Sequence, residues 1–410
     1  MAEITVKANT QSGQHITIAS GYPTDPDFCA TLAEWGISTP TPYGEVEYYT
    51  DTSYTTTRRI NIMSQSEVDQ MVNTATTVQF GPYSINSDSI KEVKLSSSVT
   101  SVPASFLCQK YTRLTKADLS EATLTSLPDY FVSYATALTQ ISLPSTVTTI
   151  GNYFLTEDSS LNSAINLENV TTVGSNFMRN CTAYDTDLSL PKVTSVGSYF
   201  CGHFASTKTI DLPELLTTGP YFFSYGEAAF DATINVPKLQ TLGTYAFYHC
   251  SSYNKDLSFP AIVTIGSGFL NSGTSYNSTI TLGSTLQSIE SNFLAYCSSY
   301  NKPINLQSVK TIGSSFLWDC RAFNQNITLP STITSIGGYF VGNCYAMTST
   351  INVGSLAASV ASSSNYSLSI NVDSEPAYTT GIGITGSNKA AWISRFPNRT
   401  SNPYRKLRSV

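Results

Sequence analysis

The chain has 410 residues and a formal net charge of −6, with only 12% charged residues beside 41% hydrophobic ones. Ser and Thr together supply more than a quarter of the sequence, and 25 Tyr and 19 Phe are present. This composition argues against a helical protein, because β-branched and aromatic residues favour strands, and its apolar content excludes a disordered chain.

The first 85 residues contain no internal repeat and form the first predicted domain, 1–85. Their pattern predicts a small α+β domain suited to attachment or oligomerisation. Because the start lacks a secretory signal pattern and no run approaches about 18 apolar residues, we expect synthesis without a signal peptide and no membrane insertion. The predicted elements are strands at Ile4–Ala8 and His15–Ala19, a helix at Phe28–Trp35, a hairpin within Val46–Ile62, and a helix from Glu67 to Val72 capped by Ser66.

The second predicted domain, residues 86–373, is built from an internal repeat of about 23 residues. The segment that runs from Ile141-Ser-Leu-Pro to Gly151-Asn-Tyr-Phe154 recurs from Leu188 and again from Ile327. Such regularity cannot arise from composition alone. Alignment on the Gly places eleven units at 103, 128, 151, 174, 197, 219, 243, 266, 290, 313 and 337, with Pro103, Pro128 and Glu290 in place of Gly.

Each unit has the features of one coil of a solenoid. Apolar residues alternate at its start, as at Ile141 and Leu143, which predicts a strand, and a following Pro such as Pro144 ends that strand because it cannot donate to a ladder. A second extended segment, the Gly turn and an apolar pair such as Phe154-Leu155 follow. A single unit has one apolar face and no partner, so neighbouring units must stack to bury it. The predicted fold class is mainly β, a solenoid of about eleven coils.

The repeat pattern also carries a resemblance to a known family. The pattern Leu/Ile-x-Leu-Pro-x-x-Val-Thr-x-Ile-Gly-x-x-Phe, with Cys seven residues after the Gly, resembles the BspA-like leucine-rich repeats of bacterial surface antigens and spans about residues 90–355. The resemblance implies a leucine-rich-repeat solenoid and a role in adhesion or host binding. Such repeats also occur in bacteriophage virion proteins.

Five of the eight Cys residues share one place in the repeat, seven residues after the aligned Gly. Equal placement in separate coils predicts a row of buried, reduced thiols facing the core, although disulfides between adjacent coils stay open in an oxidising medium. No Cys-x-x-Cys pair occurs and the chain has only 3 His, so no metal site and no cofactor are predicted. The five residues are Cys181, Cys250, Cys297, Cys320 and Cys344.

The sequence predicts that the protein is not an enzyme, because no recurring carboxylate pair, nucleophile elbow, phosphate loop or HExxH motif is present. His203 and His249 both lie six residues after the aligned Gly, where other coils have Asn, Ser, Tyr or Asp. This variation indicates a solvent-facing position rather than a catalytic one. A glycan-degrading enzyme on a repeat scaffold is a third hypothesis, and it would need two carboxylates within about 5–10 Å of each other in one groove.

Two rows of aromatic residues follow the repeat. Ten residues after the Gly, pairs such as Tyr253-Asn254 and Tyr276-Asn277 predict a core rung whose Asn bonds to the turn backbone. Two residues after the Gly, other coils have Asn, Gly or Ser where six have Tyr, so we expect a partly exposed row. Such a row could stack on sugar rings or anchor a partner protein, or it could simply cover the coil edge. The six candidate binding residues are Tyr130, Tyr153, Tyr199, Tyr221, Tyr245 and Tyr339.

The third predicted domain, 374–410, is a C-terminal cap with a basic tail, and Leu368–Val372 extends the strand pattern before it. From Pro376 onward there are six basic residues and no acidic one, so the remaining residues are acidic overall. That balance excludes a nucleic-acid partner, and the tail is either a contact with an acidic neighbour or a solvated end. Its basic residues are Lys389, Arg395, Arg399, Arg405, Lys406 and Arg408.

Two main hypotheses on function follow. The first is a non-enzymatic bacteriophage virion component of the tail or head-surface type. It would bind other virion proteins through residues 1–85 and the basic tail, form a homo-oligomer, and present its repeats to a host surface protein or glycan. The absent signal and the non-repeating domain on each side of the array favour this hypothesis. The alternative is a bacterial adhesin of the BspA-like type, located at the cell surface instead of the virion.

Overall fold

The structure is a computed structural model in which the chain divides into two compact units, Met1–Leu190 and Pro191–Val410. The three domain boundaries expected from the sequence stay predictions. The described residues are 4–9, 15–21, 46–49, 58–62, 65–71, 77–80, 83–87, 90–95, 97–226, 229–362, 382–395 and 408–409.

The first unit begins with a set of longer strands and continues with the short strands of the coils. Its elements are β1 (Ile4–Asn9), β2 (His15–Gly21), β3 (Val46–Tyr49), β4 (Arg58–Ile62), α1 (Gln65–Val68), β5 (Thr77–Phe80), β6 (Tyr83–Asn86), β7 (Ile90–Leu95), β8 (Lys116–Asp118), β9 (Ser126–Leu127), β10 (Gln140–Ser142), β11 (Thr149–Ile150), β12 (Thr172–Val173) and β13 (Leu188–Ser189).

The sheet of the N-terminal strands continues into the strands of the first coils, in the order β10-β8-β7-β4-β3-β1-β2. β4 pairs with β7 in parallel, with Ile60 opposite Val93, and β7 pairs with β8. An uncovered solenoid end would expose unpaired backbone groups and core side chains. The N-terminal strands therefore cap this end of the array.

The predicted N-terminal strands are confirmed as β1 and β2, and the hairpin is confirmed by antiparallel β3 and β4. The predicted helix from Glu67 to Val72 with Ser66 as its cap is wrong, because α1 already begins at Gln65. The Gln65 amide accepts hydrogen bonds from the backbone N–H groups of Thr100 and Ser101, which anchors the start of the helix to the first coil. The predicted helix at Phe28–Trp35 lies outside the described residues.

The second unit continues the coils and ends in a short helical segment. Its elements are β14 (Ser195–Val196), β15 (Thr209–Asp211), β16 (Thr217–Thr218), β17 (Thr233–Asn235), β18 (Thr241–Leu242), β19 (Leu257–Phe259), β20 (Thr264–Ile265), β21 (Ile280–Leu282), β22 (Ser288–Ile289), β23 (Thr311–Ile312), β24 (Ile327–Thr328), β25 (Ser335–Ile336), β26 (Thr350–Asn352), a 3-10 helix at Ala358–Val360, β27 (Gly383–Thr385), α2 (Lys389–Arg395) and β28 (Arg408–Ser409).

Parallel ladders join each coil to the next in both units. β11 pairs with β12 in the first unit, and β20, β22, β23 and β25 pair in succession in the second. Their partners lie one repeat apart, with Thr264 opposite Ser288 and Ser288 opposite Thr311. This arrangement confirms the predicted mainly β solenoid of about eleven coils.

A further ladder of hydrogen bonds joins segments whose backbone is left-handed. In most coils the second, fourth and sixth residues after the aligned position have φ near +60°, as at Tyr221, Phe223 and Tyr225. The N–H groups of Tyr221 and Tyr225 donate to the carbonyls of Thr244 and Tyr248 in the following coil, whereas Phe223 donates to Phe200 in the preceding coil. The segment therefore pairs on both sides like a strand, although its dihedral angles are those of a left-handed turn.

The aligned Gly lets successive turns stack closely. A side chain on Gly243 would collide with the backbone carbonyl oxygen of Gly219 in the coil before it. The contact is with rigid backbone, which cannot move aside without breaking the adjoining ladders. The stacking distance thus requires Gly at position 243.

The predicted core rung of Tyr and Asn is confirmed. Tyr253, Tyr276 and Tyr300 are fully buried, and their rings stack with centroids 6.1 and 5.9 Å apart. The Asn that follows each Tyr bonds to the next coil: the N–H of Asn277 donates to Oδ1 of Asn254 at 2.7 Å, and that of Asn301 donates to Oδ1 of Asn277 at 2.9 Å. The Asn amides thereby replace a strand ladder where the chain turns.

The predicted row of buried thiols is also confirmed, since the five Cys are free and buried. Each thiol donates to a backbone carbonyl in the preceding coil, as Cys250 does to Phe223 at 2.7 Å. Burial raises the pKa of Cys250 to about 12, so the thiol stays protonated and unreactive at neutral pH.

One coil has a carboxyl group in the place of the thiol. Asp158 lies seven residues after Gly151 and is completely buried. Its Oδ1 accepts the N–H of Ala135 at 2.7 Å, but its Oδ2 has no hydrogen-bond partner. Burial, with a smaller contribution from Glu157, raises the pKa of Asp158 well above its usual range. The fold therefore favours the protonated carboxyl.

The C-terminal end of the second unit is covered by α2. Trp392 is buried and its indole N–H donates to the carbonyl of Leu356 at 2.9 Å, while Arg395 donates to the carbonyl of Ala361 at 3.0 Å. Within the predicted basic tail, Arg395 thus bonds to its own chain. Arg399, Arg405, Lys406 and the side chain of Arg408 lie outside the described residues, as does the predicted strand at Leu368–Val372.

We expect Asp158→Cys to raise the melting temperature, and more so at pH 8 than at pH 5. The folded pKa of Asp158 lies above that of the unfolded chain, so folding holds a proton that the unfolded chain releases above about pH 4, and stability falls as pH rises toward the folded pKa. A thiol there can repeat the bonds of Cys250, which donates to Phe223 and accepts the N–H of Gly226. The expected gain at pH 8 is about 1–3 kcal/mol.

Thermal unfolding followed by circular dichroism at both pH values checks this expectation. The exposed Glu168 serves as the control, and Glu168→Cys should not alter the difference in melting temperature between pH 5 and pH 8. A melting temperature of Asp158→Cys below that of the wild type at pH 8, or an equal shift of the melting temperature at both pH values, would contradict this expectation.

Candidate functional site

The six predicted Tyr residues occupy one place on the left-handed segment, with φ between 55 and 61°. Tyr130 and Tyr339 are exposed, and the other four are half-buried. The predicted partial exposure of the row is therefore confirmed. The residues are Tyr130, Tyr153, Tyr199, Tyr221, Tyr245 and Tyr339.

The structure brings five of these rings together in two stacks. In the first unit, Tyr130 and Tyr153 stack with centroids 4.4 Å apart. In the second unit, Tyr221 stacks between Tyr199 and Tyr245 at 4.5 and 5.0 Å. Tyr339 is not in a stack and meets Trp318 edge-on at 4.9 Å.

The stacking decides which parts of the rings can meet a ligand. Tyr221 has a ring on each face, and the outer face of Tyr245 lies over Gly268, where an added Cβ would be 2.5 Å from the Tyr245 ring. Gly268 has φ of +76° at the place that Tyr occupies in other coils. Tyr221 therefore has no free face for a sugar ring, and the stack presents ring edges and hydroxyl groups.

A second aromatic row lies four residues further along the same segment. Tyr225 stacks between His203 and His249, with centroids 5.1 and 5.7 Å apart and interplanar angles of 4 and 3°. Tyr248 connects the two rows, because its ring meets Tyr245 at 5.1 Å and Tyr225 at 5.3 Å. We call these seven residues the aromatic patch: Tyr199, His203, Tyr221, Tyr225, Tyr245, Tyr248 and His249.

The backbone explains why the two rows face outward together. Between Tyr221 and Tyr225, the side chains of Phe222 and Phe223 are fully buried in the core. The backbone N–H groups of both Tyr residues bond to the following coil, which holds their directions fixed. The two rows therefore repeat at the same height in each of the three coils that form the patch.

The hydroxyl groups of Tyr221 and Tyr248 are neutral hydrogen-bonding groups. Burial, followed by the neighbouring Tyr199 and Tyr245, raises the pKa of Tyr221. Burial, followed by Tyr225 and Tyr245, raises the pKa of Tyr248. Both phenols stay protonated at physiological pH, so each can donate and accept a hydrogen bond.

The sequence predicts only part of this patch. His203 and His249 do face solvent as expected, His249 more fully, but the variation among coils hides that they pack against Tyr225. A signal for Tyr225 exists, since Tyr134 and Tyr296 occupy the same place in other coils. Tyr248 has no such signal, because its place holds small or polar residues in most coils.

Neither a metal centre nor a membrane-spanning helix is found in the part of the chain that the structure describes. No group of three or more His, Cys, Asp or Glu side chains among those residues could hold a metal ion. None of the described helices is long and apolar enough to cross a bilayer.

Comparisons with known proteins identify a family and related folds. The family model described as BspA type leucine rich repeat region matches residues 61–185, 184–300 and 240–371, about three quarters of the chain. A leucine rich cell surface protein of Faecalibacterium prausnitzii is 17% identical, with 82% of this chain and 92% of that chain covered and a TM-score of 0.40. A leucine-rich repeat protein of Bacteroides ovatus is 15% identical, with 90% and 97% covered and a TM-score of 0.39. No curated protein matches the chain.

Proposed function

The chain belongs to the BspA-type leucine-rich repeat family, and from this premise we propose that it is a non-enzymatic binding protein that recognises a partner protein through the aromatic patch. The main support for this proposal is the contiguous set of seven aromatic side chains on three successive coils. Binding energy in protein interfaces is concentrated in a few residues, and Tyr is enriched among them.

The rigidity of the patch supports a binding role. Each ring is held by its neighbours and by a backbone that bonds to the coils on both sides. Association costs less free energy when the side chains of the interface are already ordered. Tyr also supplies a large amphipathic contact area with few rotatable bonds.

The orientation of the rings favours a protein over a glycan as the partner. A sugar ring stacks on the face of an aromatic ring, and the faces of Tyr221 and Tyr225 are covered by their neighbours. The exposed edges and neutral hydroxyl groups instead suit the mixture of apolar and hydrogen-bonding contacts in a protein interface. The host surface glycan predicted as an alternative partner is less well supported at this patch.

We further propose a location for the protein. The family membership supports a bacterial cell-surface adhesin, because BspA-like repeats are those of bacterial surface antigens. It adds no support for a location in a bacteriophage virion, which stays a prediction from the sequence. Attachment through residues 1–85 and the basic tail, and a homo-oligomeric state, also stay predictions.

We expect Tyr221→Asn with Tyr225→Asn to reduce binding at least tenfold. Asn suits these places because Asn176, Asn292, Asn180 and Asn343 occupy them in other coils with similar positive φ. The measurement is the binding of labelled protein to intact bacterial and epithelial cells, before and after treatment of those cells with protease. Protease treatment of the cells should remove the part of the binding that depends on Tyr221 and Tyr225, as a protein partner requires.

The matched control is Tyr130→Asn with Tyr134→Asn, which changes the same two places in a coil of the first unit. This variant should bind like the wild type. Equal loss in both variants, unchanged binding in the patch variant, or survival after protease treatment of the binding that depends on Tyr221 and Tyr225 would contradict the proposal.

The location is tested by mass spectrometry of envelope fractions and of purified bacteriophage particles from the same culture. We expect the protein in the envelope fraction, enriched together with known surface proteins and depleted from cytosol. Recovery in the particles and absence from the envelope would overturn the cell-surface proposal and support the virion instead.

A further inference from the structure

One strand ladder is interrupted in the second unit. β21 ends at Leu282, the next strand at this place is β24 at Ile327, and residues 301–306 between them form no strand. Two other coils of this unit keep a bond from the N–H after the strand to the following coil: Leu212 donates to Asn235 and Leu329 donates to Asn352, both at 2.9 Å. Within the described residues, Leu306 makes no such bond to Thr328.

The local sequence explains the interruption. Pro303 has no N–H to donate, and it precedes the segment that would otherwise pair. Oδ1 of Asn305 accepts the backbone N–H of Gln307 at 3.0 Å, which forms a turn where other coils continue as a strand. The two coils therefore separate at the surface, although they stay joined through β23 and β25.

The separation leaves a groove of about 530 Å³ on the surface of the second unit. Its volume lies within the range of about 300–1,000 Å³ that is usual for small-molecule sites. Ile304, Asn305 and Gln307 line one side, and Asn326, Thr328 and Pro330 line the other.

The lining is polar and uncharged. None of the side chains that form the groove is ionisable. The amide oxygens of Asn305 and Asn326 are used within the chain, by the N–H of Gln307 at 3.0 Å and of Thr350 at 2.9 Å. The amide nitrogens of both residues remain as donors, and the N–H of Leu306 adds a third. Ile304 and Pro330 supply an apolar wall.

We propose that this groove binds a neutral sugar unit of an oligosaccharide. The hydroxyl groups of a sugar match the amide and hydroxyl groups, and its C–H face matches the apolar wall, while the lack of a cationic side chain gives no site for an acidic group. An added peptide strand fits less well, because the free edge at the groove is that of β24, which is only two residues long, and residues 301–306 opposite it form no strand. The site is separate from the aromatic patch and does not depend on its function.

The test is a glycan array with neutral and sialylated oligosaccharides, followed by calorimetric titration with the neutral oligosaccharide that binds best. Asn305→Asp combined with Asn326→Asp keeps both amide oxygens in place and replaces only the donor nitrogens. We expect this variant to bind the neutral oligosaccharide at least tenfold more weakly. Thr328→Val, which removes a hydroxyl with little change of shape, is the second variant should the first one fail to fold.

Two controls separate the groove from other effects. Asn166 forms the same turn in the first unit, with Oδ1 accepting the N–H of Glu168 at 3.2 Å, so Asn166→Asp should leave glycan binding unchanged. Tyr221→Asn should also leave it unchanged, which distinguishes this site from the patch. Failure of the wild type to bind any neutral glycan, a preference for sialylated ones, or equal binding by the groove variants would overturn the proposal.

Discussion

The structure depends on backbone hydrogen bonds that run between coils rather than within them. In the left-handed segment, Tyr221 bonds to the coil that follows and Phe223 to the coil that precedes. A left-handed conformation costs a residue other than Gly about 1 kcal/mol or more, and it persists here because the adjoining coils use its N–H groups. A coil that is out of register would lose these bonds and keep the strain.

The same constraint decides which side chains meet. Residues at one place in the repeat lie above one another, so Asn and Tyr form rows in which each member bonds or stacks with the next. The Cys thiols form a row in which each bonds to a carbonyl of the preceding coil. Asp158 shows the cost of a mismatch, since it occupies a thiol position and leaves one carboxyl oxygen unpaired. The aromatic patch arises in the same way, from two exposed places that carry Tyr or His in three successive coils.

Much of the fold can be predicted from the sequence because its rows repeat at one spacing. The thiol row and the Tyr-Asn rung need only the alignment on Gly, and both are confirmed. The left-handed segment cannot be predicted in this way, because Phe and Leu rarely adopt positive φ unless neighbouring coils impose it. The helix at Gln65 begins early for a similar reason, since its anchor lies in Thr100 and Ser101, far along the chain.

The candidate site is predicted less completely than the fold. The Tyr row is visible in the sequence, but the covering of one ring face by the next depends on rotamers and coil spacing. Tyr248 contacts Tyr225 and Tyr245, which lie at other places in the repeat, so an alignment of one place alone does not predict that Tyr248 belongs to the patch. The groove beside Asn305 forms where a hydrogen bond to the next coil is missing. The sequence of one repeat does not predict whether that bond forms.

Deleting part of the array tests the dependence on register most directly. Removal of residues 244–266 takes out one full period of 23 residues and brings Gly243 to the place of Gly266, whereas removal of residues 244–255 takes out about half a period. By circular dichroism, we predict a cooperative thermal transition near that of the wild type for the full-period deletion and loss of the transition for the half-period deletion. Equal stability of the two deletion variants would contradict the account.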